Sequence, residues 1–161
     1  MTTWLVRRLP FLSERAPIPS RHRGLTVGGD REHRLDLAGL RVFVVEDEAL
    51  VLLTLEDMLS DLGCQVIVSV QQVEEALRLA LDVVVDVALL DVNVGGTRID
   101  PVAHILATRG IPIVFVTGYE TTSLPSPPPA APDAVRVAKP FLAAELAQGI
   151  LQALGQVDPS R

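Results

Sequence analysis

The stretch Ala88-Leu89-Leu90-Asp91-Val92-Asn93-Val94-Gly95-Gly96 constrains the fold more than any other part of the chain. An apolar run stops at a carboxylate, and two glycines follow within five residues. A buried parallel strand looks like this where it ends at the carboxyl edge of an α/β sheet, the edge at which such sheets place their chemistry. The reading puts Asp91 at the mouth of that edge with its side chain facing solvent. A lone aspartate at a strand end is also an ordinary turn former, so the rest of the chain has to decide between the two.

Four further segments repeat the pattern. Arg41-Val42-Phe43-Val44-Val45 is a compact apolar run that ends at Glu46-Asp47-Glu48. From Ala49 to Leu62, the residues Leu52, Leu55, Leu59 and Leu62 recur at helical spacing, and Gly63 closes the segment. Gln65–Val70 reads as a strand, and Val73–Leu81 as a helix with Glu74 and Glu75 in its first turn, where the helix dipole favours acids. Val83–Leu90 leads into Asp91. Asp100-Pro101 then reads as an N-cap followed by proline at the first helical position, with the helix running to about Thr108. Pro112–Val116 is a strand ending at Thr117-Gly118-Tyr119; Ala134–Ala138 is a short strand ending at Lys139-Pro140; Phe141–Leu154 is an amphipathic helix.

Between the last two strands stands Leu124-Pro125-Ser126-Pro127-Pro128-Pro129-Ala130-Ala131-Pro132, whose prolines exclude an α-helix interior. The expected fold is therefore a doubly wound α/β domain with a five-stranded parallel sheet and a fourth helix that is shortened or absent. Residues 37–155 form that domain. Residues 1–36, rich in proline and glycine and without periodicity, are expected to be a disordered extension, and 156–161 a short tail.

Charge narrows the function. Residues 1–36 hold seven arginines against four acids, while residues 37–161 hold seven basic and sixteen acidic residues. An acidic body argues against nucleic-acid binding, which needs clustered positive charge. One cysteine, Cys64, excludes an internal disulfide and a thiolate metal cluster and fits a reducing, cytoplasmic setting. No apolar run reaches membrane-span length, and Arg7-Arg8 lacks the apolar core of an export signal.

In a parallel sheet all strand ends of one sense share an edge, so Glu46, Asp47, Asp91, Thr117 and Lys139 converge. Three carboxylates brought together repel one another by about 4 kcal/mol per pair at ~4 Å. A hard divalent cation relieves this, and oxygen ligands suit Mg²⁺. Lys139 is the only lysine in a chain with thirteen arginines, and a compact ammonium suits a phosphoryl oxygen that arrives and leaves. The Thr117 hydroxyl can donate to the same oxygen.

At these residues the chain resembles the receiver domain of two-component response regulators, with its flavodoxin-like fold, over about Leu40 to Leu154. The resemblance implies that Asp91 is the phosphoacceptor in a phosphorelay, served by a sensor histidine kinase or a histidine phosphotransfer protein. It implies that Glu46, Asp47, Asp91 and the Asn93 carbonyl hold Mg²⁺, Glu46 through water. Thr117 would sense the phosphoryl group and Lys139 pair with it, ahead of a cis peptide to Pro140. Such a protein is a phosphoacceptor, with magnesium-dependent self-phosphorylation and slow autodephosphorylation, rather than an enzyme. With no further module expected, output would be protein binding or phosphate transfer.

Pro112-Ile113-Val114-Phe115-Val116-Thr117-Gly118-Tyr119 is similar to the Pro-Phe-x-Phe-Ala-Thr-Gly-Tyr signature of some single-domain receivers, from which Ile113 and Val116 depart. The aromatic switch residue usual three positions before the lysine is Arg136 here, and Tyr119 is a candidate to share its role. Two rivals stand beside this reading. A dehalogenase-like phosphatase would need an acid at 93 and usually Thr at 95, where Asn93 and Gly95 stand. A receiver-like module that binds partners without phosphorylation is the alternative.

Overall fold

The computed structural model describes residues 37–118 and 131–155. The expectations for residues 1–36, for Tyr119, for the proline-rich segment up to residue 130 and for the tail 156–161 lie outside the described residues. The elements are β1 (Arg41–Val45), α1 (Ala49–Asp61), β2 (Gln65–Val70), α2 (Val73–Ala80), β3 (Val87–Asp91), β4 (Asn93–Val94), β5 (Thr97–Arg98), α3 (Asp100–Thr108), β6 (Ile113–Thr117), β7 (Val135–Ala138) and α4 (Ala143–Gly155). The main sheet has the order β2-β1-β3-β6-β7, and each neighbouring pair is parallel. This is the expected five-stranded doubly wound sheet. Its order reverses between β1 and β3, and open α/β sheets bind ligands in the crevice at that switch point.

Strict alternation along the strands divides the core in two. Val42 and Val44, Val87 and Leu89, Val114 and Val116, with Val135 and Val137, pack with Leu55 and Leu59 of α1 and Leu146 and Ile150 of α4. Phe43 and Val45, Ala88 and Leu90, Ile113 and Phe115 pack with Ala76 of α2 and Val102 and Leu106 of α3. Successive side chains of a strand point to opposite faces, so one register sets both cores. Helix α4 lies close to the sheet because Gly149 has no side chain: a Cβ there would stand 2.8 Å from Val137 Cγ2.

Two local expectations are corrected and one element is added. The strand expected from Val83 begins at Val87, because Asp86 is used otherwise. Its backbone N–H reaches the Arg41 carbonyl at 2.8 Å, and its carboxylate accepts from the Arg41 backbone N–H at 2.8 Å, Nε at 3.0 Å and Nη2 at 2.7 Å. Asp100 does not cap α3. Ile99 holds the N-cap position and Asp100 lies inside the helix, where its carboxylate takes Arg98 Nε at 2.6 Å and Nη2 at 3.1 Å. An ion pair with Arg98 has displaced the capping bond. Finally, Val94-Gly95-Gly96-Thr97 turns a small antiparallel hairpin, β4–β5, that had not been expected. Gly95 and Gly96 have φ of 58° and 82°, as a two-residue turn of this hand requires.

The Arg41–Asp86 clamp joins β1 to the start of β3 at the sheet edge away from the strand carboxyl ends. Burial alone would raise the Asp86 carboxyl, but the Arg41 guanidinium and backbone N–H together outweigh it and hold it below its ordinary value. A depressed carboxyl contributes stability that is present above its unfolded value of about 3.9 and is lost as pH falls through the folded one. Asp86→Asn should therefore cost about 1 kcal/mol at neutral pH, the half-exposed guanidinium keeping the figure modest. The gap to wild type should close below about pH 4 in urea denaturation curves.

Candidate functional site

The alternation that builds the two cores also aims the site. Glu46 continues the Val42, Val44 series, Asp91 the Val87, Leu89 series, and Lys139 the Val135, Val137 series, so all three leave the sheet on the side of α1 and α4. The ladder runs on past the strands to hold them there: Glu46 N–H donates to the Val70 carbonyl at 3.1 Å and Lys139 N–H to the Thr117 carbonyl at 2.7 Å.

The three side chains meet. Lys139 Nζ lies 2.7 Å from Asp91 Oδ2 and 2.7 Å from Glu46 Oε2, with Glu48 Oε1 further off at 3.7 Å. The Asp91 contact is a well-formed hydrogen bond. The Glu46 contact is an ion pair whose geometry leaves Oε2 a buried oxygen without an aligned donor. Glu46 Oε1 accepts from the Glu48 N–H at 3.1 Å. Glu46 is fully buried, and burial, with Asp91 nearby, raises its carboxyl despite the opposing ammonium. Burial opposes the charge on Lys139 as well, but Asp91 and Glu46 together overcome it and raise the ammonium above its ordinary value.

Asp91 is 9% exposed, which corrects the expectation of a side chain facing solvent. The Lys139 ammonium covers Oδ2, and Oδ1 accepts from the Asn93 N–H at 3.1 Å. Asp47 points its Oδ2 at the Gly95 N–H, 2.9 Å away. Ligand oxygens of Glu46, Asp47 and Asp91 lie within 4.8 Å of one another. Thr117 is buried at the end of β6, one step beyond the Val116 that pairs with Asp91, and is bound to Lys139 through the main chain. Asn93 stands exposed in β4 beside Asp91. Arg136 is not brought to the cluster: it sits exposed on β7 between two buried valines. The Lys139–Pro140 bond is cis.

Two participants were missed in the sequence. Glu48 adds a third acid near Lys139, and the hairpin supplies the N–H that holds Asp47. The Gly-Gly pair between Asn93-Val94 and Thr97-Arg98 is itself a hairpin signal, and it could have revealed the second.

The family model of the response regulator receiver domain matches residues 42–150. This chain is a response regulator receiver. It is 31% identical over 141 residues to the phyllosphere-induced regulator PhyR of Methylorubrum extorquens, a match covering 84% of this chain and 51% of PhyR. The chain thus spans about half the length of that curated relative. Among solved structures, SdrG from Sphingomonas melonis Fr1 is 38% identical with a TM-score of 0.62, over 72% of this chain and 96% of SdrG. The receiver domain of the sensor histidine kinase PA1611 from Pseudomonas aeruginosa PAO1 has a TM-score of 0.65 at 25% identity, over 74% of this chain and 100% of that one. It was solved with a magnesium ion coordinated in its active-site cleft.

The residues of this receiver fit a hard cation. The donor set is all oxygen, and the carboxylates are crowded, with ligand oxygens within 4.8 Å of one another. No helix of the described residues is long and apolar enough to cross a membrane.

Removing the ammonium leaves buried negative charge without a counter-ion. Lys139→Met should lower stability by about 3 kcal/mol in metal-free buffer, by the cost of breaking a buried ion pair. Millimolar MgCl₂ should recover part of that loss, as read from thermal denaturation with and without the salt.

Proposed function

We propose that this receiver accepts a phosphoryl group on Asp91 from the phosphohistidine of a sensor histidine kinase or a histidine phosphotransfer protein. One observation carries the reading: a single ammonium, Lys139, lies 2.7 Å from both Asp91 and the buried Glu46. A carboxylate meant only for structure needs one such partner and no crowd of acids around it.

In the reaction a carboxylate oxygen of Asp91 attacks phosphorus, the phosphorus–nitrogen bond to the donor imidazole breaks, and the donor nitrogen keeps the electron pair. Glu46, Asp47, Asp91 and the Asn93 carbonyl are the residues that would hold magnesium, whose charge when bound offsets that of the phosphoryl oxygens. Lys139 lets go of the Asp91 carboxylate and follows the new phosphoryl oxygens, keeping its pairing with Glu46. Thr117, joined to Lys139 through the main chain, donates its hydroxyl to the same group. The acyl phosphate adds about two negative charges at one point, and the move of Thr117 and Lys139 carries that change toward Gly118 and the segment beyond it. Output is by binding a protein partner or by passing the phosphate on.

The rim is suited to a protein donor. Leu50, 81% exposed in the first turn of α1, and Leu142, 69% exposed just past Lys139-Pro140, leave the same sheet edge as Asp91. They offer two apolar contacts at the edge that carries the acidic site, for a protein that brings the phosphohistidine.

Incubation with acetyl phosphate and Mg²⁺ should give one phosphate-mass adduct, mapped to Asp91 and absent from Asp91→Ala. A chain that stays unmodified at every magnesium concentration would leave only the phosphorylation-independent binding module. Replacing Leu50 and Leu142 together by Asp should leave acetyl phosphate labelling within about twofold while lowering the transfer rate from a cognate kinase by about tenfold, the scale of losing interface anchors. Asp at position 50 suits the N-terminal turn of a helix, so the fold should not suffer.

A further inference from the structure

Two carboxylates of the site take their main-chain partners from one small element. The Asn93 N–H holds Asp91 Oδ1 at 3.1 Å, and two residues on, the Gly95 N–H holds Asp47 Oδ2 at 2.9 Å. N–H groups at i and i+2 of one hairpin thus reach acids that stand on different strands, β3 and the end of β1.

We infer that the β4–β5 hairpin is the positioning element of the acidic site, with the Gly95 N–H as the donor that fixes Asp47 relative to Asp91. The inference rests on the cation and phosphoacceptor reading above and adds a part to it.

The hairpin is built to hold a position. Its legs are anchored in the core on the α2 and α3 side, where Val92, Val94 and Ile99 are buried. Its base is closed by the Ile99 N–H on the Val92 carbonyl at 3.1 Å. The Arg98–Asp100 ion pair braces β5 against the first turn of α3. Only the tip is free, and the tip carries the Gly95 N–H. Both tip glycines are in the left-handed region, and an added Cβ at either would meet nothing within 4 Å. Space is therefore not why glycine stands there; the backbone conformation that aims the N–H is. Asp47 lies beyond the end of β1, and its carboxylate comes within 4.8 Å of those of Glu46 and Asp91. The hairpin gives it an anchor there, leaving the other carboxylate oxygen for a cation.

The test sets the loss of the donor against the distortion of the turn. Gly95→Pro removes the N–H but also forces φ from 58° toward about −65°; Gly96→Pro forces the same kind of change from 82° and keeps the Gly95 N–H; the alanine variants at 95 and 96 carry only the smaller cost of a Cβ in the left-handed region. Isothermal titration with MgCl₂ should show Gly95→Pro binding about tenfold more weakly than Gly96→Pro, the scale of one hydrogen bond to a charged group. Both alanine variants should stay within about threefold of wild type. In metal-free protein, amide NMR spectra should show the Gly95 resonance moving in Asp47→Asn by more than that of Gly96. This second measurement uses no variant of the hairpin, and so decides the matter if Gly95→Pro does not fold. A folded Gly95→Pro that binds magnesium as tightly as Gly96→Pro, or a Gly95 amide indifferent to Asp47→Asn, would overturn the inference. If wild type itself binds no magnesium, the cation reading falls, and the amide measurement still decides whether the hairpin holds Asp47.

Discussion

One ammonium shared by two acids organises the functional end of this molecule. Glu46 and Asp91 sit at the ends of neighbouring strands at the point where the sheet order reverses. Without an intervening cation, two carboxylates so close, one of them fully buried, would force the strand ends apart or protonate. Lys139 is brought in from the far edge strand, and its ammonium lies 2.7 Å from each acid. The arrangement satisfies the resting site while making its charge balance depend on one flexible side chain. Under the proposed function, a phosphoryl group on Asp91 would compete for that same side chain.

Much of this was legible in the residues before any coordinates. The apolar runs ending at Glu46, Asp91, Thr117 and Lys139 were enough to bring those residues to one sheet edge; that Glu46, Asp91 and Lys139 also share one face follows from the alternation that the two cores display. The burial of Asp91 was not legible, because exposure at a strand end depends on what other strands deliver there. Lys139 arrives from a segment 48 residues away. Asp100 shows a different limit. Its type and the proline after it favour a capping role, but Asp100 lies one residue inside the helix and its carboxylate makes a bidentate pair with Arg98 instead. The hairpin was readable in principle from its paired glycines, yet its strands are two residues each, too short for alternation to register.

The site departs from the family pattern in an instructive way. Arg136 stands where receivers usually carry an aromatic switch residue, and it lies exposed on β7 rather than folded toward Thr117. The features that hold and sense charge, by contrast, are complete and mutually connected, with Thr117 and Lys139 sharing a main-chain hydrogen bond of 2.7 Å. The acids, Lys139 and Thr117 are thus connected to one another, while the position of the usual aromatic residue holds an arginine outside that cluster.

The Arg41–Asp86 clamp has a consequence for the same two strands. Near the start of β1 and β3 a guanidinium fastens the carboxylate that precedes one strand to the other, while at their far ends one ammonium bridges two acids. The strands are riveted at one tip and laced at the other. A change of charge at the laced tip leaves the rivet in place, and the rivet keeps the two strands in register.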